Sequence, residues 1–141
     1  MVALATSSVS TPTFGPAARG AVTGGVKWVL QIEGLALLAA ATAAYGEQGF
    51  GWGWFALFFL APDVTFLAYL LGPRWGAAAY NAAHSTIGPL ALGAAALALG
   101  STQLEMAALI GLAHIGFDRT LGYGLKYETA FGDTHLGRKG R

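Results

Sequence analysis

The apolar positions of this chain form four long stretches, separated by short segments rich in glycine, proline or charge. The stretches cover residues 27–45, 52–71, 75–99 and 104–123. Each approaches the roughly 20 residues that an α-helix needs to cross the hydrocarbon core of a bilayer. The connections are so short that consecutive helices must be antiparallel neighbours. The pattern therefore predicts an all-α fold, a polytopic transmembrane bundle of about four antiparallel helices within residues 26–125.

The composition supports this assignment and excludes several classes of protein. Of 141 residues, 55% are hydrophobic and only 11% are charged, whereas soluble domains carry about 25% charged residues. The net charge of +1 excludes a strongly basic nucleic-acid-binding protein. The chain has no cysteine, so disulfides, thiolate metal sites and cysteine nucleophiles are excluded. The expected partner is the lipid bilayer, and no nucleic acid is expected.

The basic residues outside the predicted spans indicate the orientation of the chain. They lie in the amino-terminal part, in the second connection and in residues 126–141, whereas the first and third connections contain Glu47 and Glu105 but no Lys or Arg. This bias places both termini in the cytoplasm and requires an even number of crossings. Residues 1–25 are rich in small and polar residues and resemble no signal peptide, so they are predicted to be a flexible tail.

Six ionisable residues lie inside the predicted spans and away from the span ends, where lipid would surround an ordinary side chain. A charged residue at the centre of a membrane helix costs about 2.5–3.5 kcal/mol on insertion scales, so we expect these residues to face one another or water. The predicted topology places all of them in the cytoplasmic half of the bundle, which predicts a single polar cluster. The six are Glu33, Asp63, His84, His114, Asp118 and Arg119.

Helical periodicity indicates which polar residues share a face. At about 100° per residue, Tyr80 and Asn81 lie on one face with His84. His114 and Asp118 are four residues apart and lie one above the other on the fourth helix. We therefore expect all five side chains to contribute to the cluster.

Arg119 and two prolines complete the predicted cluster. Arg119 points about 100° away from the neighbouring aspartate, so it is expected to pair with Glu33 or Asp63, or to reach the cytoplasmic interface. Pro62 and Pro89 lie inside the second and third spans. Each removes the helical hydrogen bond of the carbonyl four residues earlier, and in a membrane such a carbonyl needs another partner.

The charge count of the cluster leaves several functions open. Three acids and one arginine leave a charge of −2 when the histidines are neutral, and protons or one divalent cation would neutralise it. We expect a non-enzymatic membrane protein whose cluster binds a small ligand, an ion or protons. One alternative is a metal-dependent membrane enzyme with His84, His114 and Asp118 as metal ligands. Another is an accessory subunit with a purely structural polar core, and haem bound by the two histidines is the least favoured cofactor. Transport by so short a chain would require a homo-oligomer or a larger membrane complex.

Residues 126–141 are predicted to form a cytoplasmic tail. Its basic end, with Arg138, Lys139 and Arg141, is suited to anionic lipid at about 1 kcal/mol per charge. Asp133 and His135 are expected to be ordinary loop residues. The alternative is that the tail folds back, so that these two side chains cap the cytoplasmic mouth of the polar cluster.

Several strings of residues resemble those of a known family. They are Glu33-Gly-Leu, Ala61-Pro-Asp, Gly72-Pro-Arg, Tyr80-Asn-x-x-His, Ala113-His-Ile-Gly-Phe-Asp-Arg-x-x-Gly-Tyr-Gly-Leu-Lys-Tyr and Phe131-x-Asp-Thr-His-Leu-Gly. The last two are the most specific. Over residues 26–137 the chain resembles the bacterial membrane family catalogued as domain of unknown function 4260. The resemblance implies a small polytopic protein of the bacterial cytoplasmic (inner) membrane, and it implies no activity.

Overall fold

The described part of the chain is mainly helical. The computed structural model describes residues 20–139, so most of the predicted amino-terminal tail (residues 1–19) and residues 140–141 lie outside the described residues. The elements in chain order are α1 (Gly24–Glu47), α2 (Trp52–Phe58), a 3₁₀ segment (Ala61–Leu71), α3 (Pro73–His84), α4 (Ile87–Leu99), α5 (Thr102–Thr120), β1 (Asp133–Thr134) and β2 (Gly137–Arg138). The two short strands form an antiparallel hairpin. The prediction of an all-α membrane bundle is confirmed.

Three helical stretches are long and apolar enough to cross a membrane. They are Gly24–Glu47, Trp52–Leu71 and Pro73–Leu99. The remaining helix, α5, has 19 residues and carries three fully charged side chains, which are Glu105, Asp118 and Arg119. Its composition alone does not show that it spans a bilayer, so the fourth crossing stays a prediction.

Two of the predicted spans are interrupted near their prolines. In the second span, α2 ends at Phe58 and the chain continues as the 3₁₀ segment, with Pro62 near its start. In the third span, α3 ends before Ser85, which is extended (φ −84°, ψ 145°), and α4 follows with Pro89 in its first turn. Proline has no N–H to donate to the carbonyl four residues earlier. As a result, Asp63 lies at the start of one segment and His84 at the end of another.

Helices α1 and α5 pack closely because both have a glycine at the contact. A Cβ atom added to Gly116 would lie 2.5 Å from the backbone nitrogen of Leu38 and 2.7 Å from the carbonyl oxygen of Gly34. No larger residue fits there unless the backbones separate, as at other membrane contacts between small residues. The Gln31 side chain donates a hydrogen bond to the Thr120 carbonyl at 2.9 Å. This contact fixes α5 against α1.

The chain after α5 folds back onto α3. We use the word hairpin for residues 125–138 of this segment, which include the two short strands. The Asn81 amide accepts a hydrogen bond from the Lys126 N–H (2.7 Å) and donates one to the Lys126 carbonyl (2.9 Å). The hairpin buries Leu136 completely. The Val22 N–H donates to the His135 carbonyl at 2.9 Å, so the amino end of α1 lies beside the same hairpin. Within residues 20–139 both chain ends therefore lie at one end of the bundle.

Candidate metal centre

Four side chains from three separate segments meet in the interior. Asp63 comes from the 3₁₀ segment, His84 is the last residue of α3, and His114 and Asp118 come from successive turns of α5. Each offers one nitrogen or oxygen atom, and these atoms all lie within 4.8 Å of one another. The histidine side chains are 3% and 1% exposed, whereas Asp63 is 30% and Asp118 is 16% exposed. The group is closed on the imidazole side and partly open on the carboxylate side.

The separations within this four-residue group suit a common ligand. The Nε2 atoms of His84 and His114 are 3.1 Å apart. The His84 Nε2 atom lies 3.3 Å from Asp63 Oδ1 and 3.6 Å from Asp118 Oδ2, and the corresponding distances from His114 Nε2 are 3.6 and 4.0 Å. Two nitrogens bound to zinc at about 2.0–2.1 Å in a tetrahedron lie roughly 3.3–3.4 Å apart. The His84–His114 distance and the distance from His84 to Asp63 lie within about 0.3 Å of such an edge, whereas the 4.0 Å between His114 Nε2 and Asp118 Oδ2 is longer, so the carboxylates would have to move closer to hold zinc.

Tyr80 orients two members of the group. Its hydroxyl donates a hydrogen bond to Asp118 Oδ2 at 2.7 Å. Its backbone carbonyl accepts a hydrogen bond from Nδ1 of His84 at 2.9 Å, and its ring stacks on that imidazole with centroids 3.6 Å apart. Because Nδ1 carries the proton, a neutral His84 directs the lone pair of Nε2 into the group. Metal-binding histidines are commonly oriented by such a bond to a carbonyl.

His114 is held by packing. Its ring makes an edge contact with Phe59, with centroids 5.4 Å apart. Its Nδ1 atom is buried and has no hydrogen-bond partner within residues 20–139. Two lone pairs on Nε2 atoms 3.1 Å apart would repel each other. Either a proton on one of these nitrogens or a cation between them is therefore required.

Within residues 20–139, neither carboxylate forms an ion pair with a lysine or arginine. In the part of the chain that the structure describes, the ion-pair contacts of Asp63 and Asp118 are with the two histidines. With neutral imidazoles and ionised carboxylates the group would carry −2. A charge of this size in a mostly buried site must be neutralised. The arrangement can therefore hold a divalent cation or two protons.

Lys126 is separated from the four-residue group by Tyr80, which contacts both. It was not among the predicted site residues. It is 5% exposed. Its ammonium donates to the Phe131 carbonyl at 2.9 Å and lies 4.6 Å from the centre of the Tyr80 ring. Burial lowers the pKa of Lys126, while the negative charges of Asp118 and Asp63 raise it. In the sequence, Lys126 was indistinguishable from the other basic residues at the cytoplasmic interface, because its burial depends on the hairpin.

Neither of the two ion pairs considered for Arg119 forms within the described chain. Glu33 is exposed on α1, and no described ion pair joins Arg119 to Glu33 or Asp63. Arg119 lies on the face of α5 that packs against α1, where its Cβ is 2.7 Å from the position of a Cβ added to Gly34. Glu33 and Arg119, two of the six predicted cluster residues, therefore lie outside the group that the other four form.

The predicted tail residues stabilise the hairpin and lie outside the four-residue group. Asp133 accepts a hydrogen bond from the Thr129 hydroxyl at 2.7 Å and pairs with Arg138 at 3.5 Å. His135 is half-buried, and its burial lowers the pKa of the imidazole, with a smaller contribution from the charge of Arg119. Asn81 fixes the backbone of Lys126 as described above and also does not face the group.

The fold and this group define the class of protein: a helical membrane protein with buried imidazole and carboxylate side chains facing one another. The chain belongs to the family described as Domain of unknown function (DUF4260), whose model matches residues 27–139. This match confirms the resemblance found in the sequence. Neither the curated proteins nor the solved structures contain a match to this chain.

Proposed function

We propose that this protein binds a divalent transition-metal ion through Asp63, His84, His114 and Asp118. The observation that carries the proposal is the convergence of four donor atoms within 4.8 Å from three segments of the chain. The two nearest helical neighbours in sequence, His114 and Asp118, would meet on any α-helix. Asp63 and His84 belong to two other segments and would not meet them by helical periodicity. The helix breaks near Pro62 and at Ser85 bring these two residues to the same point. A structural hydrogen-bond pair would need only two of these residues.

The charge of the site supports a cation with two positive charges. Two ionised carboxylates and a divalent cation sum to zero, whereas the empty site would carry −2 in a mostly buried place. Protonating both carboxylates would also remove the charge. A proton on one Nε2 would account for the contact between the two imidazoles, but it would not account for two carboxylates beside the same point. A shared metal ion explains the two carboxylates and the 3.1 Å separation of the two nitrogens.

The donor set narrows the class of ion. Mixed imidazole and carboxylate ligands suit Zn²⁺, Mn²⁺ or Fe²⁺ better than the soft ions that prefer sulfur. Four protein ligands complete the coordination of tetrahedral zinc, as in structural sites, whereas catalytic zinc sites keep one position open. We therefore propose metal binding as the function and not a metal-dependent reaction. An ion that needs a fifth ligand would take water from the side of Asp63, the more exposed carboxylate.

Elemental analysis of the purified full-length protein tests this proposal. We expect one transition-metal ion per chain in the wild type and none in a His114→Ala, Asp118→Ala double variant. A Glu33→Gln, Glu105→Gln double variant is the matched control, because it removes two carboxylates of α1 and α5 that lie outside the group, and it should keep the metal. A wild-type protein that carries no metal, and takes none up from millimolar Zn²⁺, Mn²⁺ or Fe²⁺, would refute the proposal.

The second candidate function is storage or relay of protons. It is favoured by the direct contact between the two imidazoles, because a proton on one Nε2 would form a hydrogen bond to the other across 3.1 Å. In this case the purified protein is free of metal, and ¹⁵N spectra of the histidines change as the site titrates. If neither metal nor a titration of these histidines is observed, the group is a purely structural polar core, as expected of an accessory subunit.

We further propose that the protein crosses a bacterial cytoplasmic membrane four times, with both termini in the cytoplasm. The contact between Val22 and the hairpin supports termini on the same side, and the positive-inside bias supports the cytoplasmic side. Because the chain lacks cysteine, single cysteines can report the orientation. In intact cells an impermeant maleimide should label Gln48→Cys and leave Glu128→Cys unlabelled. The opposite pattern would overturn the orientation, and labelling of both would overturn the even number of crossings.

A further inference from the structure

The environment of Lys126 is unusual for a residue in a surface hairpin. The Nζ atom lies 4.0 Å from the centre of the Phe131 ring, 4.6 Å from that of Tyr80 and 5.7 Å from that of Phe66. Lysine is almost never fully buried unless it is paired, and in this position cation–π contacts and one carbonyl replace a carboxylate. A methionine of similar length would fill the space without burying an ammonium group. Packing alone therefore does not account for a lysine here.

Tyr80 connects Lys126 to the metal centre. The lysine ammonium lies near its ring, its hydroxyl binds Asp118, and its carbonyl and ring orient His84. One residue thus contacts two proposed metal ligands and the hairpin. Asn81, the next residue, holds the backbone of Lys126 with two hydrogen bonds. A movement of the hairpin would displace Lys126 from the Tyr80 ring and change the support of Asp118.

We propose that Lys126 is a positioning residue of the metal centre, which it supports through Tyr80, so that docking of the hairpin and metal binding stabilise each other. The inference rests on the proposed function of the four-residue group and adds the carboxyl-terminal hairpin to the site. If docking tightens metal binding by some factor, metal binding must favour docking by the same factor. The hairpin then reports whether the site is occupied.

Three possible roles of Lys126 predict different changes in metal affinity when its charge is removed. A lysine that only fills space would leave the metal affinity of the folded protein unchanged. A lysine that acts only as a nearby positive charge would repel the metal ion, so its removal would tighten binding. A positioning residue does the opposite: its loss lets Tyr80 and Asp118 move, and binding weakens. Metal affinity therefore separates the three roles, which a measurement of stability alone would not.

The experiment compares Lys126→Met with Lys139→Met in the full-length protein in lipid nanodiscs. Lys139 is the matched control, because its ammonium also donates to a carbonyl, that of Leu121 at 2.6 Å, and lies 4.9 Å from a tyrosine ring, that of Tyr123. The dissociation constant for Zn²⁺ is measured by competition with a chelator. We expect about tenfold weaker binding in Lys126→Met, the lower end of the loss for residues that support metal ligands. Lys139→Met should bind like the wild type, and Lys126→Arg should lie in between.

Two further measurements keep the inference testable if Lys126→Met does not fold. Tyr80→Phe removes only the hydroxyl that binds Asp118, and it should weaken Zn²⁺ binding by a similar factor. In the wild type, saturating Zn²⁺ should slow amide hydrogen exchange in residues 125–138. Unchanged or tighter binding by Lys126→Met, or exchange in the hairpin that does not respond to Zn²⁺, would overturn the inference and leave the metal site intact. A wild-type protein that binds no Zn²⁺, Mn²⁺ or Fe²⁺ would overturn both.

Discussion

Two faces of α5 have different roles although they share the same turns of helix. One face packs on α1, where Gly116 allows close approach of the backbones and Thr120 accepts a hydrogen bond from Gln31. The other face carries His114 and Asp118 towards α3 and the 3₁₀ segment. Close packing on the first face requires a glycine, whereas the second face depends on the chemistry of its imidazole and carboxylate side chains. We therefore expect that substitutions in this small bundle can change stability and ligand binding separately.

The largest effect is expected on the polar face. His84→Ala removes one of the two imidazole ligands of the group, so we expect the affinity for Zn²⁺ to fall by more than about 100-fold, beyond the loss caused by changing supporting residues. Arg119→Leu, on the α1 face, should change the affinity by less than about threefold. No ion pair of the described chain joins Arg119 to the four-residue group, so Arg119 is not a supporting residue of the metal ligands. Competition with a chelator measures both. A similar loss in both variants would mean that the two faces are not separate.

The next effect is expected on the glycine face. A Cβ atom at position 116 would lie 2.5 Å from the backbone nitrogen of Leu38, so Gly116→Ala should lower the free energy of unfolding by about 1–3 kcal/mol. Gly93→Ala is the control, because the added atom would lie 3.8 Å from the Cβ of Ala108, an ordinary contact. Unfolding in mixed micelles measures the free energy of unfolding of both variants. Equal stability of the two variants would contradict the close packing of α1 and α5.

A smaller, pH-dependent effect is expected at His135, which lies between the two strands of the hairpin. Burial lowers the pKa of His135 in the docked hairpin, so the undocked state binds the proton more tightly. Docking is therefore most stable above the ordinary histidine pKa of about 6.5 and weakens as the pH falls below it, by at most about 1.4 kcal/mol per pH unit. Hydrogen exchange in residues 125–138 at several pH values measures this. The dependence should disappear in His135→Gln, and a hairpin that is tighter in acid would contradict the account.

The smallest effect is expected at Glu33, one of the two carboxylates that the sequence offered as partners of Arg119. Because Glu33 is exposed and no ion pair joins it to Arg119 in the described chain, Glu33→Gln should change the free energy of unfolding by less than about 0.5 kcal/mol. In a double-mutant cycle with Arg119→Leu the two changes should add to within about 0.5 kcal/mol. A larger coupling energy would show that Glu33 and Arg119 interact, and it would contradict their separation.

These differences show what the sequence could predict. Hydrophobic length identified the membrane helices, and the cost of buried charge indicated that Asp63, His84, His114 and Asp118 should face one another. The prolines indicated where helical hydrogen bonds would be lost. Position along the chain indicated which side chains could meet, but it did not give the direction of a side chain around its helix, and this is why Glu33 was included. The burial of Lys126 depends on a hairpin held by long-range contacts, which no local pattern encodes.

The most direct test of the central claim is an X-ray absorption spectrum of the full-length protein loaded with Zn²⁺. The account predicts nitrogen and oxygen ligands at about 2.0–2.1 Å, with the multiple scattering of two imidazole rings. In His84→Ala, the contribution of one ring should be lost. A spectrum without imidazole scattering, in a sample that contains stoichiometric zinc, would place the ion elsewhere and contradict a metal centre formed by this four-residue group.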